Sequence, residues 1–517
     1  MEYFSDLMMG FSVAMTPQNL VFALIGCILG TLVGVLPGLG PSAGTALLIP
    51  LTFNLPPTGA IIMLAAIYYG SQYGGTITSV LINVPGEASS AITCIDGYQM
   101  AQQGRAGAAL AVAAIGSFVG GTIAVMGLVA AAPLTRFALE FGPVEFFSLM
   151  VLGMTLVSGL AGKSMIKALI SATLGLLLGT VGMDPAQGAP RFTFGRLELM
   201  DGIGFIPVIM GLFGVGEVLT NAEEEWKPIV TAKMSSVMPT IKDLKDSFWP
   251  ILRGTCIGFF LGLVPGMTGS ACSFSSYIVE RKVSRHPEKF GTGMIEGVAG
   301  PETANNAHAN AAYIPLFTLG IPGSATVAVL MGAFMMNGLI PGPFLFKERP
   351  DVAWGVIASM YIGNVMLLIL NLPLVGIWVK ILKIPYSILF AVIMAFMLLG
   401  AYAVDNSAFD ILTMLLFGVV GYLLRKLDIP LAPAVLTLIL GPLMEKNLRR
   451  TLEMSQGNFG IFLESPIAMG LLIAAAIFLV TPMLKSLILK KKKNREDGRR
   501  SDPLHSTDET VQYVTKK

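Results

Sequence analysis

Two stretches of this 517-residue chain set glycine, proline and small hydroxyl residues where apolar sequence would otherwise run on. The first, LPGLGPSAGT, offers Gly38, Gly40, Ser42 and Thr45; the second, VPGMTGSACS, offers Gly266, Thr268, Gly269, Ser270 and Ser273. A further break follows in each half: INVPGEA, with Asn83, Pro85 and Gly86, and LGIPGSA, with Pro322, Gly323 and Ser324. A helix interrupted inside a membrane exposes N–H or C=O groups that only protein, water or a ligand can satisfy. Helix N-termini carry partial positive charge and bind carboxylates, while unwound carbonyls suit Na⁺. Such loops hold an anion without a charged side chain, so we expect substrate contact at these positions. The competing reading, glycines that merely let helices approach, is the one expected at Gly26, Gly30, Gly254 and Gly258.

Between the breaks lie YYGSQYGGTITSVLINVPGE and PETANNAHANAAYIPLFTLGIPGS, both dense in amides, hydroxyls and small residues. Polar groups inside apolar sequence are costly and mark solute or ion paths. Glu302, Asn305, Asn306, His308 and Asn310 are therefore candidates for ion coupling or for lining the pathway, against the alternative of a polar loop at the membrane surface. A lone histidine also commonly satisfies a neighbouring carbonyl. Glu87 joins the candidates because it directly follows Pro85-Gly86, whereas Asp184, Glu217, Asp405 and Asp410 read as interfacial.

Catalytic constellations are missing from the sequence. GLAGKS at Gly159 to Ser164 resembles a phosphate loop, but the first glycine of that pattern would fall on Val157. There is no HExxH, no GxSxG elbow and no Cys/His metal spacing, so no catalytic residue, cofactor or metal is expected beyond possible Na⁺ sites at the unwound carbonyls. The four cysteines read as packing residues.

The elements that must carry these residues are membrane helices. Hydrophobic residues make up 54% of the chain and charged ones 13%, too little charge to clothe a soluble protein of this size. Apolar stretches lie near 20–36, 58–82, 106–133, 143–160, 163–182 and 203–219, then near 250–266, 303–322, 323–345, 352–378, 386–400, 408–424, 431–444 and 466–489. Shorter pieces at 43–55 and 269–279 read as half-helices. We expect an all-α polytopic protein with about 11 to 14 membrane segments, some re-entrant or broken.

The chain is also duplicated. GCILGTLVGVLPGLGPSA from Gly26 aligns without a gap on GTCIGFFLGLVPGMTGSA from Gly254, a constant offset of 228 that sets Pro37 on Pro265 and Ser42 on Ser270; the second breaks match at an offset of 237. The expected organisation is a membrane repeat over 1–219, a polar linker over 220–248, a second repeat over 249–489 and a basic tail over 490–517. ERKVSRHPEK at 280–289 is basic where its counterpart TFNLPPTG is uncharged, which favours an inverted repeat. Lys163 and Lys167, matched by Lys380 and Lys383, speak against it. From Lys485 to Arg500 eight basic and two acidic residues follow an apolar span, placing the C-terminus in the cytoplasm and making a nucleic-acid role the weaker reading. The acidic N-terminal stretch lacks the basic start of a cleaved signal.

At the duplicated Pro-Gly loops the sequence resembles the large membrane subunit, TctA, of the tripartite tricarboxylate transporters. The likeness runs from about Leu20 to Leu489 and is most specific in GVLPGLGPSAGTALLIPLTF, YYGSQYGGTITSVLINVPGE, GLVPGMTGSA, EGVAGPETANNAHANAAYIPLFTLGIPGS and NGLIPGP. It implies a secondary carrier of the bacterial inner membrane, driven by Na⁺ or H⁺. It also implies a small TctB-like membrane subunit and a periplasmic TctC-like solute-binding protein that delivers citrate or another carboxylate. A carrier of another small anion without a binding protein, a channel and a membrane enzyme are the alternatives.

Overall fold

The computed structural model describes residues 2–36, 38–160, 164–184, 188–223, 239–381 and 386–480. Pro37, Lys163, Lys383, residues 224–238 of the expected linker and the tail at 490–517 lie outside the described residues. Among those described the chain is helical, apart from a short antiparallel ribbon that pairs Gly182–Met183 with Pro190–Arg191. Pro17–Val35, Ala106–Ala131, Pro350–Asn371 and Ala408–Lys426 are each long and apolar enough to cross a membrane, and shorter apolar helices accompany them. Their outward faces stay apolar: Val21, Leu24, Ile25 and Ile28 on one helix, Leu412, Leu416, Val419 and Leu423 on another, are exposed. Hydrocarbon, not water, suits such faces.

The helices around the breaks come in a repeated order. In the first half α1 (Pro17–Val35) breaks before α2 (Pro41–Leu48), and α3 (Pro57–Ile82) breaks before α4 (Thr93–Gln102) and α5 (Ala106–Ala131). In the second, α6 (Ile241–Gly262) breaks before α7 (Gly269–Val283). There α8 (Glu296–Ala311) and α9 (Tyr313–Leu319) break before α10 (Ala325–Met336) and α11 (Pro350–Asn371). Proline at the first helical position starts α1, α2, α3 and α11, where its missing N–H costs nothing. Thr240 starts α6: its Oγ1 accepts from Asp243 N at 3.1 Å while its own N–H donates to Asp243 Oδ2 at 3.0 Å. That helix thus begins inside the stretch expected to be linker.

Glycine stripes seam the helix pairs. A Cβ at Gly26, Gly30 or Gly34 of α1 would run into the carbonyls of Met63, Ile67 and Ser71 on α3, and Gly254, Gly258 and Gly262 of α6 lie as close to the carbonyls of Gly300, Ala304 and His308 on α8. Backbones in contact at this distance gain van der Waals attraction that side chains would forbid. Other neighbours fix the course of the remaining helices. Gly355 and Gly363 of α11 face Thr58 and Tyr69 of α3; Gly121 of α5 faces Asn364 of α11; Gly116 and Gly127 of α5 face Ile251 and Phe259 of α6.

The structure decides one alternative and adds one element. The polar stretch PETANNAHANA is no surface loop: it forms α8, where Gly297 to Ala311 are buried throughout. Alanine and glycine make up much of it, so neighbours reach its backbone and its amides bond inward. The N-terminal stretch, not among the expected apolar segments, forms a helix over Glu2–Ala14 that packs on α11, with Gly10 against Trp354.

Candidate functional site

Corresponding breaks share a backbone path. Gly38 and Gly266, 228 apart, have φ of +85° and +86°, a conformation that favours glycine. Two residues on, Gly40 and Thr268 are the N-caps of α2 and α7, and Thr268 Oγ1 accepts from Ala271 N at 3.2 Å. In the second pair, Asn83 (φ 57°, ψ 30°) and Gly320 (φ 74°, ψ 20°) end α3 and α9 in the left-handed region. Glu87 (φ −140°, ψ 163°) and Ser324 (φ −145°, ψ 169°), 237 apart, then restart the chain as extended N-caps.

All four breaks meet at one cavity of about 250 Å³. Ser42 from the first break, Glu87 from the second, Gly266, Thr268, Gly269 and Ser270 from the third and Ser324 from the fourth line it, with His308 on its wall. Contacts across the cavity join opposite halves. Ser42 Oγ lies 2.8 Å from Thr326 Oγ1, Tyr68 OH lies 3.3 Å from Ser324 Oγ, and Asn305 Nδ2 donates to Glu87 Oε1 at 2.7 Å. Within the second half the breaks are tied directly, Gly266 N donating to Gly323 O at 2.9 Å. The N-termini of α2, α7 and α10 end here, so their partial positive charges add where, among the described residues, no lysine or arginine lines the wall. This geometry can hold a carboxylate through backbone N–H groups and hydroxyls.

The other candidates stand behind the wall or away from it. Gly38 accepts at its carbonyl from Asn221 Nδ2 at 3.0 Å and does not line the cavity; nor do Gly40 and Thr45, whose Oγ1 is buried without a hydrogen-bond partner. Asn83 is exposed, Pro85 is half-buried, and Gly86, Pro322 and Gly323 are buried. Glu302, fully buried, accepts from Thr76 Oγ1 at 2.6 Å and from Thr93 Oγ1. Asn306 Nδ2 donates to Ser117 Oγ at 2.7 Å and Asn310 Nδ2 to Asn306 O at 2.9 Å, both inside the helix packing. His308 Nε2 donates to Met267 O at 3.0 Å.

Sequence reasoning did not single out Tyr68, Gln72, Ser89 and Thr326, which also line the cavity. The repeat carried the signal: the offset of 237 sets Tyr68 on Asn305 and Ser89 on Thr326. It also passed over Asp96 of α4, fully buried. Its Oδ1 accepts from the backbone N–H groups of Gly291, Gly293 and Met294 at 2.9, 2.9 and 2.8 Å, and its Oδ2 from Tyr277 OH at 2.8 Å. One first-half carboxylate thereby holds the turn that leads into α8.

Comparison with known proteins adds an independent result. Residues 20–436 match the model of the tripartite tricarboxylate transporter TctA family. An uncharacterized 52.8 kDa protein in the TAR-I ttuC' 3'region of Agrobacterium vitis is 47% identical over 495 residues, 95% of this chain and 99% of the relative. An uncharacterized protein in the TAR-II ttuC' 3'region of the same organism is 45% identical over 234 residues, 45% of this chain and 97% of the relative. No solved structure matches.

Proposed function

The chain belongs to the tripartite tricarboxylate transporter TctA family, and from that premise we propose that it carries a small carboxylate across the bacterial inner membrane by cation-coupled symport. The family is one of transporters with partner subunits. In this reading a small membrane subunit assists, a periplasmic binding protein delivers the carboxylate, Na⁺ or H⁺ supplies the driving force, and the C-terminus is cytoplasmic. The observation that carries it is the convergence of four chain breaks, two from each half, on one cavity where helix N-termini and hydroxyls point inward. Paired interruptions of this kind mark the solute site in carriers built from repeats.

The test is uptake into proteoliposomes that hold this chain and its small partner, supplied with loaded binding protein. Collapsing both the Na⁺ and the proton gradient should abolish accumulation. Uptake that survives full collapse would sink the symport reading, and flux that neither saturates nor exchanges would favour a channel.

Inverted halves are part of the same reading. Helix neighbours support it: α1 runs along α3 and α8 along α6, Gly26 to Gly34 meeting Met63 to Ser71 and Gly254 to Gly262 meeting Gly300 to His308, while α3 and α8 run in opposite senses, with Gln72 beside Asn305 and Thr76 beside Glu302. Following that chain of pairs, α1 and α6 point in opposite directions. Cysteines placed at Thr58 and Ser284 should accordingly react with an impermeant maleimide from opposite sides of the membrane; labelling of both from one side would exclude inversion.

A further inference from the structure

The two second breaks share a backbone but not a chemistry. Matched positions put Glu87 opposite Ser324, Ser89 opposite Thr326 and, on the long helices that hold them, Asn305 opposite Tyr68. At the Ser324 end the groups are all hydroxyls: Tyr68, Ser324 and Thr326, with Ser42 bonded to Thr326 at 2.8 Å. The N-termini of α2 and α10 open beside them.

At the Glu87 end three polar side chains close on one carboxylate. Ser89 Oγ donates to Glu87 Oε1 at 2.5 Å and Asn305 Nδ2 to the same atom at 2.7 Å. The Gln72 amide lies 2.8 Å from Glu87 Oε2 and 2.9 Å from Asn305 Oδ1, donating to both with its nitrogen on that side. An amide turned by half a rotation presents its carbonyl where its N–H had been. Gln72, Glu87 and Ser89 line the cavity and Asn305 stands directly behind them, so the four side chains can offer a carboxylate, two carbonyls and a hydroxyl to one point at its edge.

We infer that the two ends divide the work: the Gln72, Glu87, Ser89 and Asn305 end holds a Na⁺ ion, and the Ser42, Tyr68, Ser324 and Thr326 end takes the solute's carboxylate. This rests on the transport reading and names the place of each passenger within it. Hard cations take oxygen ligands, and a single carboxylate balances a monovalent ion, whereas divalent sites draw on more anionic charge. Glu302 differs, since its oxygens are taken by Thr76 and Thr93 away from the cavity wall. The hydroxyl end carries no acid and sits on two helix N-termini, the environment that favours an anion.

The test is thermal unfolding of the detergent-purified full chain in NaCl, KCl or choline chloride at fixed ionic strength, with citrate as the anion probe. Na⁺ should raise the unfolding temperature selectively. In Glu87→Gln and in Gln72→Leu the Na⁺ concentration for half the effect, read against each variant's own melting in choline, should rise at least about tenfold. Ser324→Ala and Tyr68→Phe should keep the Na⁺ response and lose most of the further rise given by citrate in saturating Na⁺. An unchanged Na⁺ response in Glu87→Gln, a wild type that does not distinguish Na⁺ from choline, or loss of the Na⁺ response in Ser324→Ala would overturn the assignment. Each of those results is compatible with gradient-driven uptake in proteoliposomes, so the assignment and the transport reading fail separately.

Discussion

Gly266→Val should lower solute uptake by roughly 100-fold while leaving membrane insertion and expression near wild type. The reason is backbone geometry. At φ +86° a β-branched residue is a steric outlier, at a cost of about 1–3 kcal/mol that the chain relieves by abandoning the conformation. Gly266 N also ties the first break of the second half to Gly323 O of the next at 2.9 Å, so a rotated peptide would release both tips from the cavity. Gly38→Val should act alike, since φ there is +85° and a Cβ would lie 2.5 Å from Asn221 Oδ1. Uptake rates normalised to the amount of protein in the membrane decide the matter. Wild-type rates in both variants would reduce the two loops to packing features.

The second large effect is expected at Asp96. Asp96→Ala removes the acceptor of three backbone N–H groups on half-buried turn residues and of one buried phenol. A donor left without a partner costs about 1–3 kcal/mol where water is excluded, as at the Tyr277 hydroxyl, and less where water can replace the carboxylate, so a total loss of about 2–3 kcal/mol is expected. Unfolding temperature in detergent should fall by several degrees, and protease should cut the 284–295 turn faster. Asp96→Asn, which keeps one carbonyl oxygen at the same place, should recover much of the loss. Equal stability of the alanine variant would mean that the turn is held elsewhere.

Much of this site is legible in the amino-acid sequence. Proline and glycine cannot hide in a membrane helix, so the four breaks stand out, and an offset of 228 without a gap makes the duplication plain. The glycine stripe at positions 26, 30, 34 and again at 254, 258, 262 is recognisable as packing from its spacing alone. Relations between distant segments are not legible in this way. Tyr68 looks like one aromatic among several until Ser324 of the other half is beside it, and Asp96 has no local signature because its partners are backbone groups some 195 residues away. The polar helix α8 is ambiguous for another reason: hydropathy measures affinity for lipid, and α8 faces protein on all sides. The start of α6 is legible in principle, as Thr240 and Asp243 form a capping pair three residues apart, yet charge nearby masks it.

The glycine seams also bear on which parts can shift during transport. Along α1 and α6 the glycines recur every fourth residue, a rise of about 6 Å. A slide of any smaller step would drive the intervening side chains into the carbonyls of α3 or α8, and no rotamer change clears a clash with main chain. Each pair must therefore travel as a single rigid strut. If the cavity opens to one side and then the other, that motion falls to the joints between struts, the broken tips that line the cavity itself.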